Sequence, residues 1–338
     1  MQNQVVDRQV LKSLKLVNNR KEAISMTKVL LTGVGGNLGT QAAEDLLHLT
    51  DPKNLIFVGY DEAALAKYAE KGVDTRQADF NHLEGLADKF MGADVLGLIS
   101  MPFVGQKRQQ AQQNVVDAAK AAGVKKIVYT SLVNAQDPTN PSKEKIDHAF
   151  TEKYIVDSGL DYIFLRNSQY AEAMITNYFT FVKNGGALMN NQGDGKMAYI
   201  SRKDCAKAMA YALLADDLHH QILNINGPEL MTISDFIKIG NEQTGNHVTY
   251  KEVTDEEDYQ IFDAMGVPRT TDGQFKKGSE APFSSEGMVT FGQAIREGKM
   301  DTFTDDFKKL TGDDPITVAE MFAHSDDYQI GERHSKDD

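Results

Sequence analysis

The chain has 338 residues, of which 41% are hydrophobic and 25% are charged. This composition excludes global disorder and is sufficient for the core of one large α/β unit or two smaller ones. The net charge of −13 disfavours a nucleic-acid surface, the single cysteine excludes a disulfide framework or thiolate zinc cluster, and no apolar run is long enough to span a membrane. We therefore expect a cytoplasmic protein without a metal site, a nucleic-acid partner or a membrane anchor.

Residues 1–25 are rich in charged and amide side chains and lack the continuous apolar run of a secretory signal. Apolar residues spaced three or four positions apart permit a short amphipathic helix. The alternatives are a disordered extension or an upstream start, with Met26 opening the domain proper, and they are favoured because frayed termini are common.

Between residues 26 and 166, short apolar runs alternate with segments of helical period. The predicted strands are Val29–Thr32, Leu55–Gly59, Val73–Ala78, Asp94–Ser100, Lys126–Thr130 and Tyr162–Arg166, and the predicted helices are Leu38–Leu49, Glu62–Lys71, Leu83–Phe90, Gln106–Ala122 and Lys143–Asp157. Strands joined through helices form right-handed crossovers and a parallel sheet. Several of these strands are apolar on both faces, as in sheets covered by helices on both sides. The sequence therefore predicts a doubly wound parallel α/β fold.

The pattern changes after residue 166. The Gly- and Asn-rich segment 184–195 predicts turns, and three pairs with capping-box spacing predict helix starts: Ser201 with Asp204, Thr232 with Asp235, and Thr254 with Glu257. Residues 265–285 predict a long loop, and long loops in compact domains are often lids or binding elements; whether this one is a lid is left open. We assign residues 167–325 to a mixed segment that completes the sheet and forms a smaller lobe, and residues 326–338 to a polar tail.

The strongest motif is TGVGGNLG at residues 32–39, which directly follows the first predicted strand and opens the first predicted helix. In this setting Gly33 permits a tight turn, Gly36 lets the backbone approach a pyrophosphate, and Gly39 lets the helix pack closely. The helix N-terminus adds free N–H groups and a positive dipole end. The motif predicts a dinucleotide site; the alternative is a glycine-rich turn without a ligand.

Tyr60 and Asp61 follow the second strand, where the adenosine ribose normally binds. The Asp61 carboxylate can accept from both ribose hydroxyls and would repel a 2′-phosphate, which predicts NADH in preference to NADPH. The alternative is that Asp61 only caps the next helix.

Further polar or aromatic residues follow the later strands, at the edge where ligands bind in open α/β sheets. Asp79 and Phe80 could flank an adenine. Ser100 with Met101 and Thr130 with Ser131 end the fourth and fifth strands, although simple packing explains Met101 equally well.

Five segments together resemble the NmrA-like group of atypical short-chain dehydrogenases/reductases, and within it the type 2 NAD(P)H:quinone oxidoreductases. They are TGVGGNLG, RQADF, NVVDAAKAAGVKKIVYTSL, HAFTEKYIVDSGLDYIFLRNSQYAE and GDGKMAYISRKDCAKAMA. The resemblance extends from residue 27 to about 325 and leaves out residues 1–25 and much of 265–290. It implies a Rossmann fold with a smaller C-terminal α/β substrate lobe. It also implies hydride transfer from a reduced nicotinamide to a quinone-like acceptor.

The resemblance also implies site residues. Those that would bind the cofactor are Gly33, Gly36, Asn37, Leu38, Gly39, Tyr60, Asp61, Asp79, Phe80, Ser100, Met101, Thr130, Ser131 and Asn167. NADPH-using relatives carry Arg-Asn where this chain has Tyr60-Asp61, which agrees with the predicted NADH preference and leaves NADPH possible.

The catalytic pattern departs from that of typical short-chain dehydrogenases. Their Tyr-x-x-x-Lys pair, in which Lys promotes proton transfer by Tyr, is replaced here by His148 and Glu152, as in the quinone reductases. The candidates that remain are Tyr170 and His148, as donors to an acceptor oxygen, and Ser131; a structural role is an equal alternative for the first two. Relatives have Gly-Trp at Ser168-Gln169, so the acceptor is left open.

Two functions follow from this pattern. The first is an NAD(P)H-dependent reductase that passes a hydride to a quinone or a related conjugated carbonyl or dye. The alternative is an NmrA-like redox-sensing regulator that binds the dinucleotide without turnover. The expected partner is a small-molecule acceptor, and self-association into a homo-oligomer is left open.

Overall fold

The computed structural model describes residues 27–102, 104–270 and 283–330. The predicted N-terminal extension, most of the predicted 265–285 loop and the end of the polar tail lie outside these ranges. No helix in the part of the chain that the structure describes is both long and apolar enough to cross a membrane.

Strands and helices alternate through the first part of the chain. The elements are β1 (Val29–Thr32), α1 (Asn37–Leu49), β2 (Leu55–Gly59), α2 (Glu62–Ala69), β3 (Asp74–Gln77), α3 (Leu86–Phe90), β4 (Val95–Leu98), α4 (Gln106–Ala121), β5 (Lys126–Leu132), α5 (Glu144–Ser158) and β6 (Asp161–Asn167). Every predicted strand and helix in this region is present, and the largest differences are at α3 and β4, which are each three residues shorter than predicted.

The rest of the chain is more helical. Its elements are α6 (Ala171–Asn184), β7 (Ala187–Asn190), β8 (Lys196–Met197), α7 (Arg202–Leu213), β9 (Gln221–Ile225), β10 (Met231–Thr232), α8 (Ile233–Thr244), β11 (Thr249–Glu252), α9 (Asp255–Ala264), α10 (Ser285–Arg296), α11 (Asp306–Thr311) and α12 (Val318–Ala323). The predicted capping boxes at the starts of α8 and α9 are both present. At α7, Ser201 accepts the N–H of Asp204, as a capping residue does.

The main sheet has seven parallel strands in the order β3-β2-β1-β4-β5-β6-β9. The chain runs outward from β1 to β3 and then crosses back to β4 on the other side of β1. The neighbours β1 and β4 therefore lie at the point where the strand order reverses, and ligands bind at the carboxyl ends of such strands. This arrangement confirms the predicted doubly wound Rossmann fold.

The central strands of the sheet are buried along their whole length because helices cover both faces of the sheet. On one face, α1 and α7 pack through small and aliphatic side chains, among them Ala42, Leu46 and Met209. On the other face, α3, α4 and α5 contribute Phe90, Val115 and others. The sheet is therefore packed between two apolar clusters.

A third apolar cluster lies in the segment after β6, where α6, α8, α10 and α12 pack around Tyr178, Phe236 and Phe322. Two small sheets, β8 with β10 and β7 with β11, complete this lobe. Within the segment, β9 returns to the main sheet and pairs in parallel with β6. The segment after β6 therefore contributes one strand, β9, to the main sheet.

The helix α6 was not predicted from the sequence. Its N-cap residue, Tyr170, makes no side-chain capping bond, and its sequence AEAMITNYFTFVKN contains many β-branched and aromatic residues with low helix propensity. Tertiary burial of Met174, Ile175 and Tyr178 stabilises this helix in place of local signals.

Candidate functional site

The glycine loop joins β1 to α1 at the carboxyl edge of the sheet. Gly33 has a φ of +70°, which favours glycine, and its carbonyl oxygen accepts the Gly36 N–H at 3.0 Å. A Cβ atom at Gly39 would lie only 2.0 Å from the Gly33 carbonyl oxygen. Only glycine therefore lets α1 begin this close to the turn, which is the packing that the motif predicts.

The N-terminus of α1 is open to an anion. Its N-cap residue, Gly36, has no side chain to satisfy the first N–H groups, and its first turn contains no acidic residue. The first N–H groups of a helix have no partner within the helix and carry a partial positive charge. In α1 these include the N–H groups of Asn37 and Leu38. This local chemistry fits the pyrophosphate of a dinucleotide.

Tyr60 and Asp61 follow β2 beside this loop. Tyr60 is 68% exposed, and Asp61 accepts the Ala63 N–H at 2.9 Å, so it caps α2. A Cβ atom at Gly35 would lie 3.9 Å from the Asp61 Cβ, which places the Asp61 side chain next to the glycine loop. The capping role is thus confirmed, and it is compatible with a second role toward a ribose.

The nearby cation on β3 is already engaged. Arg76, the register partner of Val58 on β2, binds Asp74 at 2.6 Å and donates to the carbonyl oxygens of Lys89 and Met91. A free guanidinium for a 2′-phosphate is therefore not available from Arg76.

Asp79 and Phe80 follow β3 in a tightly bonded turn. Asp79 accepts both the backbone and the side-chain N–H of Asn81, and the Phe80 carbonyl accepts from Asn114. An open cavity of 510 Å³ adjoins this turn and is lined by Asn81, His82, Leu83, Glu84, Gln110 and Asn114. Asp79 and Phe80 themselves are not among the residues that line it.

Hydroxyl groups tie together the carboxyl ends of the three central strands. Thr32 on β1 donates to the Gly97 carbonyl and accepts from the Ile99 N–H. Thr130 on β5 accepts the Ser100 N–H at 2.7 Å. Met101 is 7% exposed and packs in the cluster of α3, α4 and α5, so the structure favours the packing interpretation for this residue.

Ser131 on β5 donates its hydroxyl hydrogen to Glu152 at 2.6 Å. The same carboxylate, 2% exposed, receives Arg166 Nε at 2.9 Å and Nη2 at 2.7 Å and Gln136 Nε2 at 3.2 Å. From the sequence, Glu152 was recognised only as the residue that replaces the lysine of the Tyr-x-x-x-Lys pair. It did not indicate the partners of Glu152, because these lie on two strands, β5 and β6, and on the loop after β5.

His148 is buried one helical turn before Glu152 on α5. Its Nδ1 lies 2.9 Å from the Tyr129 hydroxyl. Burial, assisted by the charge of Arg108, lowers the pKa of His148 to about 3, and burial raises the pKa of Tyr129 to about 12. His148 is therefore a neutral imidazole at pH 7, and this environment favours a structural role over the predicted proton transfer.

Asn167 and Tyr170 meet at the end of β6, where the Asn167 side-chain amide donates to the Tyr170 hydroxyl at 3.2 Å. The Arg202 guanidinium lies 5.4 Å from the centre of the Tyr170 ring. Burial raises the pKa of Tyr170 well above its ordinary value. Tyr170 is therefore a hydrogen-bonding group and a very weak acid.

The three candidate catalytic residues thus lie in three different environments. Ser131 belongs to the Glu152 contacts, His148 to Tyr129, and Tyr170 to Asn167. Across residues 27–102, 104–270 and 283–330, no group of three or more His, Cys, Asp or Glu side chains is placed to hold a metal ion.

Comparison with known proteins places this geometry among dinucleotide-binding reductases. A family model described as NAD(P)H-binding matches residues 33–216. The chain is 29% identical over 298 residues to quinone oxidoreductase 2 of Escherichia coli, covering 88% of this chain and 98% of that protein. It is 24% identical over 320 residues to an NmrA-like family domain-containing oxidoreductase of Aspergillus flavus, covering 91% and 99%.

Solved structures give the same result. A crystal structure of an NADPH-dependent quinone oxidoreductase of Escherichia coli complexed with NADPH matches with a TM-score of 0.79 and 29% identity, covering 88% of this chain and 99% of the other. The triphenylmethane reductase of Citrobacter sp. complexed with NADP(H) matches with a TM-score of 0.74 and 26% identity, covering 88% and 99%. The resemblance to NmrA-like reductases is therefore confirmed.

Proposed function

The chain belongs to the NAD(P)H-binding family and is an NAD(P)H-dependent oxidoreductase, and from this premise we propose that its acceptor is a quinone or a related conjugated carbonyl or dye. The observation that carries the proposal is the lack of an effective acid among the predicted catalytic groups. An acceptor that delocalises the charge it gains does not require a proton from the protein at the moment of transfer. The relatives named for quinone and for triphenylmethane reduction act on acceptors of this conjugated kind.

The residues along the carboxyl edge fit a dinucleotide. The first N–H groups of α1 would hold the pyrophosphate, Asp61 the ribose, and the turn at Asp79 and Phe80 the adenine. The ends of β4 and β5, tied through Ser100 and Thr130, would support the nicotinamide end, next to Asn167. When bound, the reduced nicotinamide supplies the hydride.

We also propose a preference for NADH. A carboxylate at Asp61 suits the two ribose hydroxyls and repels a 2′-phosphate. The exposed Tyr60 supplies no positive charge, and the Arg76 guanidinium is bound to Asp74 and to backbone carbonyls. The structural relative from Escherichia coli was solved with NADPH, so this preference would distinguish the present chain from that protein.

The proton for the acceptor oxygen has to come from solvent in this proposal. His148 is neutral above about pH 4, since its pKa is lowered to about 3. The Ser131 hydrogen is directed at Glu152, and burial makes Tyr170 a poor acid. Reduction of a quinone to a hydroquinone would then combine one hydride from the dinucleotide, which carries both electrons, with one proton from water, while the protein positions the reactants.

An absorbance assay at 340 nm tests the proposed function. NADH and NADPH are each mixed with small quinones, a cationic triphenylmethane dye and, as a control, simple aliphatic ketones. We expect turnover of the quinones or the dye, faster with NADH, and none of the ketones, whose alkoxide products require a strong proton donor. Reduction of ketones alone would contradict the proposed acceptor class. Binding without turnover of any acceptor would instead support the redox-sensing alternative, which no structural observation favours.

The pH dependence of the reaction tests the role of His148. We expect kcat for a quinone to stay within about threefold between pH 6 and 9 in both the wild type and His148→Gln, because His148 does not titrate in this range. The pKa of His148 in the folded state lies below its ordinary value of 6.5, so wild-type stability should decline as the pH falls from about 6.5 toward 3. His148→Gln should show a smaller decline, measured by thermal unfolding, because carboxylates with a lowered pKa, such as Asp94 and Glu144, still lose stabilisation as the pH falls.

The matched control for this experiment is His247→Gln, since His247 is an exposed histidine before β11. A wild-type kcat that follows an ionisation near pH 6.5 and becomes independent of pH in His148→Gln would show that His148 does transfer a proton.

A further inference from the structure

Glu152 accepts hydrogen bonds from three side chains, and the reaction outlined above gives Glu152 no role. Ser131, Gln136 and Arg166 all donate to its two carboxylate oxygens, at distances from 2.6 to 3.2 Å. We call these four residues the Glu152 cluster. The Glu152 side chain is 2% exposed and that of Arg166 15%, so this is an ion pair enclosed by protein.

The Glu152 cluster connects α5 with the ends of β5 and β6 and with the loop that follows β5. Ser131 and Arg166 are direct register partners on β5 and β6, and each is the penultimate residue of its strand. Gln136 lies on the loop after β5 and also donates to the Ala149 carbonyl of α5. Glu152 therefore fixes the relative positions of three segments at the edge where the nicotinamide end would lie.

A buried ion pair contributes little net stability, since desolvation offsets much of the attraction between its charges. A well-packed apolar pair of similar volume would stabilise the fold at least as well. The geometric consequence of the Glu152 cluster is more specific. Because Glu152 takes the Ser131 hydrogen at 2.6 Å, the lone pairs of Ser131 Oγ remain, and this hydroxyl can only accept from another group.

We propose that Glu152 is a positioning residue that orients Ser131 as a hydrogen-bond acceptor for the nicotinamide end of the dinucleotide. The hydrogen-bond donor at that end is the carboxamide N–H group. This inference rests on the proposed function for the identity of the ligand. It explains why a glutamate suits the place where alcohol-oxidising relatives have lysine: a lysine would donate to Ser131 and reverse the direction of its hydrogen bond.

The test compares binding of the whole dinucleotide with binding of the half that lacks nicotinamide. The reduced dinucleotide that the wild type prefers is titrated by its fluorescence, and ADP-ribose, or its 2′-phosphate if NADPH is preferred, by calorimetry. We expect Ser131→Ala and Glu152→Gln each to weaken the dinucleotide about five- to tenfold and to leave the ADP-ribose affinity within twofold. The double variant should bind no more weakly than the weaker single variant, because Glu152 acts through Ser131.

A further variant separates positioning from stability. Glu152→Met combined with Arg166→Leu removes both charges together, so it leaves no unpaired buried charge. We expect its melting temperature to exceed that of Glu152→Gln while its dinucleotide affinity stays weak. Lys153→Gln, which changes the neighbouring exposed side chain, serves as the control and should behave as the wild type.

Three outcomes would overturn the proposal: equal losses for the dinucleotide and ADP-ribose, losses that multiply in the double variant, or recovery of dinucleotide affinity in the apolar pair. If the proposed function is wrong, the activity assay gives a result that differs from these three outcomes. In that case wild-type protein reduces no acceptor in the panel, while the contrast between dinucleotide and ADP-ribose binding is still measured and still decides the role of Glu152.

Discussion

Replacing Gly39 by alanine should abolish dinucleotide binding and lower the melting temperature. The new Cβ would lie 2.0 Å from the Gly33 carbonyl oxygen and 3.1 Å from the Val34 Cα, and these backbone atoms have no freedom to move without displacing α1. A displaced α1 no longer presents its first N–H groups to the pyrophosphate. We expect the dissociation constant for the dinucleotide to rise at least about a hundredfold, and overpacking to cost about 1–3 kcal/mol of stability.

The measurement is calorimetric titration together with thermal unfolding. Gly186→Ala is the matched control, because a Cβ there meets no atom within 4 Å and the residue lies outside the glycine loop. Wild-type affinity in Gly39→Ala would show that the loop does not hold the dinucleotide.

The double substitution Tyr60→Arg/Asp61→Asn should reverse the dinucleotide preference. It removes the carboxylate that repels a 2′-phosphate and introduces a guanidinium that can bind one through charge-assisted hydrogen bonds. Asparagine is as good an N-cap as aspartate, so the bond to the Ala63 N–H and the start of α2 should persist. We expect the ratio of kcat/KM for NADH to that for NADPH to fall by about a hundredfold, as two favourable polar changes would give.

Steady-state kinetics with both dinucleotides and one quinone measure this ratio. Glu62→Gln, an exposed carboxylate in the first turn of α2, controls for the general loss of negative charge. A wild type that already prefers NADPH would contradict the role given to Asp61.

The main sheet could be predicted because its signals are local. Strands such as Leu55–Gly59 are buried along their whole length, so they appear in the sequence as continuous apolar runs. The glycine loop was also predictable, since the steric demands at Gly33 and Gly39 arise from backbone within seven residues. The capping boxes at Thr232 and Thr254 are local in the same way.

Features that depend on distant residues could not be predicted. The helix α6 has no capping side chain and is stabilised by burial against the lobe. The partners of Glu152 lie between 14 and 21 positions away in the chain, and a sequence shows residue types without showing which of them meet. The predicted proton transfer by His148 was argued from its chemical type, whereas burial beside Tyr129 and Arg108 determines its pKa.

The strand order has a consequence for how relatives of this protein diversify. Asp61 follows β2, whereas the Glu152 cluster lies on β5 and β6, and the order β2-β1-β4-β5-β6 puts four strand spacings, about 19 Å, between the ends of the series. Substitutions this far apart usually have additive effects. We therefore expect substitutions at Asp61 and in the Glu152 cluster to accumulate in separate evolutionary steps, since neither change needs compensation at the other end of the sheet.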